Sequence, residues 1–381
     1  MGANVRPHVL KRLERGGKRL FVRLAAGLLR LIGGAGEPAA EPLATSRLRS
    51  VLLLRPDRLG DLVVTVPAIR LLAARLPRDA RLTLLASTRN QALARWFFPE
   101  ARLWVHGRGA LPFLRTFTRL VSRRFDAAID FHSYPFSVTT GLWTLMSRAP
   151  IRVGHRATGR NDELARAIFN QGVSVHDDGL HEMEKSLLLV ERFQGEVALD
   201  QVGRFGAVPE FVAARARFEG LLRADGVAAG ARLVGIHPTL WKADNRWSQE
   251  RYLELLRLLE QAPGVHVIVI QGAGEERESA RFRPLAAGAR RATYLPSSDL
   301  ELIVEAARRC EAVVCGDSGI AHVCALVTRV VVIFGPSDPG RWAPLGPHPV
   351  TVLRGPDGRC DSVEPGEVME QLERLGPARR D

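Results

Sequence analysis

Two short stretches of this chain set titratable side chains where a strand gives way to a helix. The first is Gly316-Asp317-Ser318-Gly319-Ile320-Ala321-His322, directly after the apolar run Ala312-Val313-Val314-Cys315. The pattern predicts a buried strand, a glycine-bearing turn and a helix that begins near Ser318. Such a turn aims backbone N–H groups and a helix N-terminus at whatever lies above the strand end, which suits an anion such as a phosphate. The same residues also fit a plainer role, an Asp/Ser turn that caps the helix with His322 facing outward. The second stretch is Arg55-Pro56-Asp57-Arg58-Leu59-Gly60-Asp61, after the strand-length apolar run Ser50-Val51-Leu52-Leu53-Leu54. Here two carboxylates lie among two guanidiniums, a composition that serves proton transfer or merely solvates a turn. The apolar residues from Ala68 to Leu76 recur at helical spacing, with Pro67 expected in the first turn of that helix.

The elements that must hold these stretches alternate. Strands are expected at Arg81–Ala86 and Ala127–Phe131, and helices at Leu111–Val121 and Ser137–Met146. The segment 177–193 is expected to close the first series. A second series opens with strand Leu233–Pro238 and helix Gln249–Leu259, followed by strand Val265–Ile270 and helices Glu276–Leu285 and Asp299–Arg309. Strands Ala312–Cys315 and Val330–Phe334 complete it. Alternation of this kind implies parallel sheets with helical crossovers and ligands at the carboxyl ends of the strands. The expected division is a basic leader and linker over 1–46, a first Rossmann-like domain over 47–200, a second over 201–355, and a tail over 356–381 holding one helix, Val363–Leu375.

The Arg55–Asp61 segment with Pro67-Ala68-Ile69-Arg70-Leu71-Leu72 resembles the N-terminal signature of the glycosyltransferase family 9 heptosyltransferases. The Gly316–His322 segment, with Ala325 and Val331-Val332-Ile333-Phe334-Gly335-Pro336-Ser337-Asp338-Pro339, resembles the C-terminal one. The resemblance implies an α/β chain of the GT-B fold, two Rossmann-like lobes facing a central cleft. It also implies inverting transfer of a heptose from ADP-heptose to a lipopolysaccharide-core or other lipid-linked, phosphorylated saccharide. Such transfer needs a carboxylate to take the acceptor's proton and positive or polar groups for the leaving diphosphate. By resemblance the base is Asp61, with Asp57 the lesser alternative, paired instead with Arg55 or Arg58. Acceptor contacts fall to Arg58, Gly60 and His181. Donor contacts fall to Thr239, Lys242, Arg246, Glu276 (favoured over Glu275), Asp317, Ser318, Gly319 and His322.

One position departs from the family pattern. A phosphate-binding lysine is expected immediately before Arg246-Trp247, and Asn245 stands there. Lys242 or Arg246 can supply the charge, and the change opens the choice of donor sugar. The run His181-Glu182-Met183-Glu184-Lys185 lacks zinc-protease spacing. With no metal motif recognised, metal-independent catalysis without a cofactor is the expectation.

Composition narrows the rivals. The formal charge is +13, and residues 1–35 carry eight basic side chains against one acidic, Glu14. Without zinc-finger spacing, a helix-turn-helix or a stacking motif, the excess points to an anionic membrane or acceptor rather than nucleic acid. Leu10–Ile32 is compatible with an interfacial amphipathic helix or with a helix packed on the domain. It is interrupted by Arg23 and Arg30 and does not read as a signal peptide. Cys310, Cys315, Cys324 and Cys360 form no C-x-x-C pair and read as buried hydrophobes in a reducing compartment. The expected location is cytoplasmic, with peripheral contact on the inner membrane face. Two other classes stay open: a Rossmann-type NAD-dependent dehydrogenase, which wants two more glycines in the first loop, and a non-catalytic carbohydrate-binding descendant.

Overall fold

The computed structural model describes residues 42–107, 109–132, 136–156, 162–175, 179–193, 205–238, 245–272, 291–295 and 299–375. The leader, the expected helix Glu276–Leu285, and Thr239, Lys242 and Glu276 lie outside them. The chain divides into two units, 1–202 and 203–381.

In the first unit, a 3-10 turn at Thr45–Arg47 precedes β1 (Ser50–Leu54), α1 (Leu59–Ala73), β2 (Arg81–Ser87), α2 (Gln91–Phe97), β3 (Arg102–His106) and α3 (Ala110–Val121). Then come β4 (Ala127–Asp130), α4 (Val138–Met146), β5 (Ile151–His155), α5 (Asp162–Ile168), β6 (Gln171–Val173) and α6 (Glu182–Glu191). All six strands are parallel, in the order β3-β2-β1-β4-β5-β6. In the centre, Val51, Leu52, Leu53 and Leu54 are buried on both faces of the sheet. A strand covered by helices on both sides needs a continuous apolar run, and each such side chain contributes about 1.5–3 kcal/mol of burial.

The second unit repeats the plan. It contains α7 (Val212–Ala224), β7 (Arg232–His237), α8 (Gln249–Gln261), β8 (Val265–Val269), β9 (Ala292–Tyr294), α9 (Leu300–Arg309) and β10 (Cys310–Gly316). It continues through α10 (Gly319–Cys324), β11 (Arg329–Phe334), α11 (Pro339–Trp342), β12 (Val350–Arg354) and α12 (Pro365–Leu375). Its parallel sheet runs β12-β11-β10-β7-β8-β9, which is the first sheet's order by position. Both are the doubly wound arrangement, whose strand order reverses between β1 and β4 and between β7 and β10. Such switch points open a crevice at the carboxyl ends. Helix α12 packs on α8: Val368, Met369 and Leu372 join Tyr252, Leu255 and Leu259, and the Trp247 indole donates to the Val363 carbonyl at 2.9 Å.

The structure corrects one expectation about α1. Pro67 is not in its first turn, because the helix already starts at Leu59. An internal proline forfeits one helical hydrogen bond. Here the helix continues because Leu62, Val63, Val66, Ile69 and Leu72 are all buried. The correction moves Asp61 from the expected loop onto the third residue of the helix.

Candidate active site

At the first switch point, the β1–α1 connection is held from three sides. Arg55 is 2% exposed. Its Nε donates to the Asp61 carbonyl at 3.0 Å, and its Nη1 donates to the Phe131 carbonyl at 2.6 Å and to Asp57 Oδ2 at 3.3 Å. Its Nη2 lies 3.8 Å from Asp61 Oδ1. Asn90 donates to the Arg55 carbonyl at 2.8 Å, and Ser87 Oγ donates to the Asp57 carbonyl at 2.7 Å. Asp61 supplies one half of a capping box: its Oδ2 accepts the Arg58 N–H at 3.0 Å. Its carbonyl also accepts from Thr65 Oγ1 at 2.7 Å. The Asp61 side chain remains 20% exposed, and its Oδ1 lies beside the buried guanidinium.

Asp57 is committed elsewhere. Its Oδ1 accepts from His132 Nδ1 at 3.0 Å, tying the end of β1 to the end of β4. Burial opposes ionisation of Asp57, but the His132 hydrogen bond and the Arg55 charge outweigh it and hold the carboxyl below its usual range. His132 is affected in the opposite sense. Burial disfavours its charge, yet the hydrogen bond and charge of Asp57, then Asp130, raise it above an ordinary histidine. Asp130 Oδ1 accepts the His132 N–H at 3.0 Å, and burial pushes this carboxyl up to about 6.

Deeper still, the Lys185 ammonium meets Glu182 Oε1 at 3.3 Å with both side chains buried. Nearby His155 at the end of β5 is 3% exposed, and neither ring nitrogen has a hydrogen-bond partner among the described residues. Burial drives its pKa down to about 3, so it stays neutral at ordinary pH. His181, expected to contact the acceptor, caps α6: its Nδ1 accepts the Met183 N–H at 3.1 Å while Glu184 accepts the His181 N–H at 2.6 Å. Asp130, His132 and His155 escaped sequence reasoning. An Asp-Phe-His run closing the apolar strand Ala127–Ile129 was the available signal.

The second switch point is built differently. Gly316 ends β10, and Asp317 precedes Ser318, which caps α10 by accepting the Ala321 N–H at 3.3 Å. That helix has only six residues, so its dipole is weaker than the sequence suggested. His322 is buried rather than facing out, because α10 is buried all round: Ile320, Ala321, Val323 and Cys324 are buried with it. Asn245 is 3% exposed, and its amide donates to Asp317 Oδ2 at 3.1 Å and to Ser337 Oγ at 2.6 Å. One neutral side chain thus ties the segment after β7 to the turns after β10 and β11. Arg246 beside it is exposed. The structure therefore brings Asn245, Asp317, Ser318 and Gly319 to one strand edge, and Arg58, Gly60 and Asp61 to the other unit's equivalent edge. Among the described residues no group of three or more His, Cys, Asp or Glu side chains could hold a metal ion.

The model of Glycosyltransferase family 9 (heptosyltransferase) matches residues 113–370, well over half of the chain. The chain belongs to glycosyltransferase family 9. Lipopolysaccharide heptosyltransferase 1 of Escherichia coli K12 is 30% identical over 148 residues, 39% of this chain and 45% of that protein. The matched stretch therefore spans less than half of that relative. Its counterpart from E. coli O18:K1:H7 is 30% identical over 146 residues, 38% of this chain and 43% of the relative. Among solved structures, a family 9 protein of Veillonella parvula aligns with a TM-score of 0.69 at 15% identity, covering 88% of this chain and 98% of that one. E. coli ADP-heptose LPS heptosyltransferase II aligns at 0.68 and 20% identity over 86% and 98%. E. coli heptosyltransferase WaaC with ADP aligns at 0.64 and 19% identity over 86% and 100%. These family 9 likenesses establish the α/β fold of two Rossmann-like units, the GT-B class.

Proposed function

We propose that this family 9 protein transfers a heptose or a related sugar from an ADP-sugar to a lipopolysaccharide-core or other lipid-linked saccharide, with inversion. The observation that carries the reading is Asp61: a partly exposed carboxylate in the first turn of the helix after β1, with Oδ2 held by the Arg58 N–H and Oδ1 3.8 Å from the Arg55 guanidinium. The acceptor hydroxyl oxygen forms a bond to the anomeric carbon as the bond from that carbon to the β-phosphate oxygen breaks. The proton passes to Asp61, and the electron pair leaves on the nucleoside diphosphate. Positioned proton transfer of this kind contributes about 10²–10⁴ in rate. Arg58 and Gly60 flank the base on the acceptor side. On the donor side Asp317, Ser318, Gly319 and Arg246 receive the nucleotide sugar, together with Thr239, Lys242, Glu276 and His322. The similarity to lipopolysaccharide heptosyltransferase 1 and the ADP named with the WaaC structure support the donor and acceptor classes.

Calorimetric titration of ADP, UDP, GDP, CMP and NAD tests this directly, alongside Asp61→Asn. Selective ADP binding that survives the substitution, with turnover lost, is expected. NAD binding without affinity for the diphosphates would refute it. A second reading, a family 9 enzyme with another nucleotide sugar, is favoured by one observation. The buried amide of Asn245, rather than a cation, faces Asp317. Preference for UDP or GDP in the same titration selects it.

A further inference from the structure

Among the described residues five large apolar side chains are exposed, and three of them lie on α3: Leu111 at 80%, Leu114 at 55% and Val121 at 36%. The opposite face of that helix is well seated. Thr116 and Leu120 are buried, Phe113 stacks on Trp143 at 4.4 Å, and Thr116 Oγ1 meets His106 Nδ1 at 3.3 Å. Leu111, Leu114, Arg115 and Thr118 recur at i, i+3, i+4 and i+7, which is one outward face. An outer face that carries leucines on a firmly docked helix calls for a partner.

The charge around it is of one sign. Residues 101–125 contain six arginines and no Asp or Glu. Arg115, Arg123 and Arg124 are exposed, and no described carboxylate pairs with them or with Arg119. Arg119 and Arg123 lie over the Trp104 ring, each 5.9 Å from its centroid. Partial burial first, and then the like charges of Arg115 and Arg123, lower the Arg119 pKa. A second copy of this chain would bring arginines against arginines. Nucleic acid would satisfy the guanidiniums but leave Leu111 and Leu114 in water. An anionic bilayer offers phosphates at the depth of the arginines and acyl chains at the depth of the leucines.

We propose that the outer face of α3 docks the first unit on an anionic membrane surface. Placement supports the same occupant. Helix α3 begins at the carboxyl end of β3, which stands two positions from β1 in the sheet. At about 4.8 Å per strand, its apolar first turn lies roughly 10 Å along the edge that carries Asp61. A saccharide whose lipid remains in the bilayer is presented at that edge. Docking through α3 does not depend on which nucleotide the second unit binds.

The test is co-sedimentation of the full chain with phosphatidylglycerol-rich and with pure phosphatidylcholine vesicles. Binding to the first and not the second is expected, weakening as salt rises. Leu111→Ser/Leu114→Ser should lower partitioning at least ~10-fold, and Arg115→Gln/Arg124→Gln should lower it about 5-fold per arginine. ADP affinity and the thermal transition should be unchanged in both variants, which separates this surface from the donor assignment. A Leu114→Cys chain carrying an environment-sensitive dye should shift to the blue on anionic vesicles. No vesicle binding by the parent chain, or binding with unshifted dye and unaffected variants, overturns the proposal. The latter outcome assigns membrane contact to the leader.

Discussion

Both switch points join the loops that follow neighbouring strands, but with opposite materials. At the first, Arg55 and the Asp57–His132 pair tie the end of β1 to that of β4 by charge. At the second, Asn245 ties the segment after β7 to the turns after β10 and β11 through a neutral amide. The contrast follows from what each edge must receive under the proposed reaction. An acceptor hydroxyl is neutral, so the protein itself must supply the charged and polar groups that orient Asp61. A nucleoside diphosphate brings its own negative charge, and a charge-dense bracket there would compete with it.

The sharpest way to break the comparison is Asp61→Asn, which should reduce kcat by about 10²–10⁴ while calorimetry finds ADP affinity unaltered. Retained turnover would transfer the base role elsewhere and strip the ionic edge of its purpose. Next comes Arg55→Met. It removes the cation from a buried pair and takes a donor from the Phe131 and Asp61 carbonyls, so chemical denaturation should register a loss of about 3–5 kcal/mol. A change under 1 kcal/mol would mean the bracket is decorative.

The acid limb of stability tests the buried histidine. His155 is ordinary in the unfolded chain, near 6.5, and about 3 when folded. Its contribution is therefore complete above 6.5 and lost as pH falls toward 3. His155→Gln should flatten that slope. Asp130 acts with the opposite sign: raised from 3.8 to about 6, it favours folding fully below 3.8 and loses that contribution as pH rises through 6. Asp130→Asn should accordingly remove a destabilisation present at neutral pH, and denaturation midpoints across pH 4–8 would report both effects.

Smaller changes sharpen the neutral side. Asn245→Ala leaves Asp317 and Ser337 without their shared donor, at about 1–3 kcal/mol. If the amide shapes the donor site, this appears as weaker nucleotide binding; a lower melting temperature with affinity intact would make Asn245 a brace only. The smallest effect is expected at His181. As a helix cap its replacement by Ala should cost about 1 kcal/mol, and Asn should restore it. A raised acceptor KM in a fully stable His181→Asn would return it to the acceptor site.

Much of the frame was legible because central parallel strands must be apolar throughout. Val51–Leu54 and Ala312–Cys315 announce themselves, and the polar residues that follow mark the carboxyl edges. Edge strands such as Arg102–His106 and Val350–Arg354 are largely half-buried or exposed and lack a continuous apolar run, so they escaped notice. The start of α1 was missed because Arg58 is no ordinary cap; only its N–H bond to Asp61 Oδ2 reveals it.

By itself the sequence determined the alternating plan, the paired signatures at Asp61 and Asp317, and the membership of a glycosyltransferase family. These rest on local pattern: apolar runs, turn residues, spacing. The tertiary structure decided what the charges do. His132 and Asp57 are 75 residues apart, and Asn245 reaches partners 72 and 92 residues away. Hydrogen bonds over such separations exist only once the strand order is set, and burial, which shifts Asp130 upward and His155 downward, is a property of the packed chain alone.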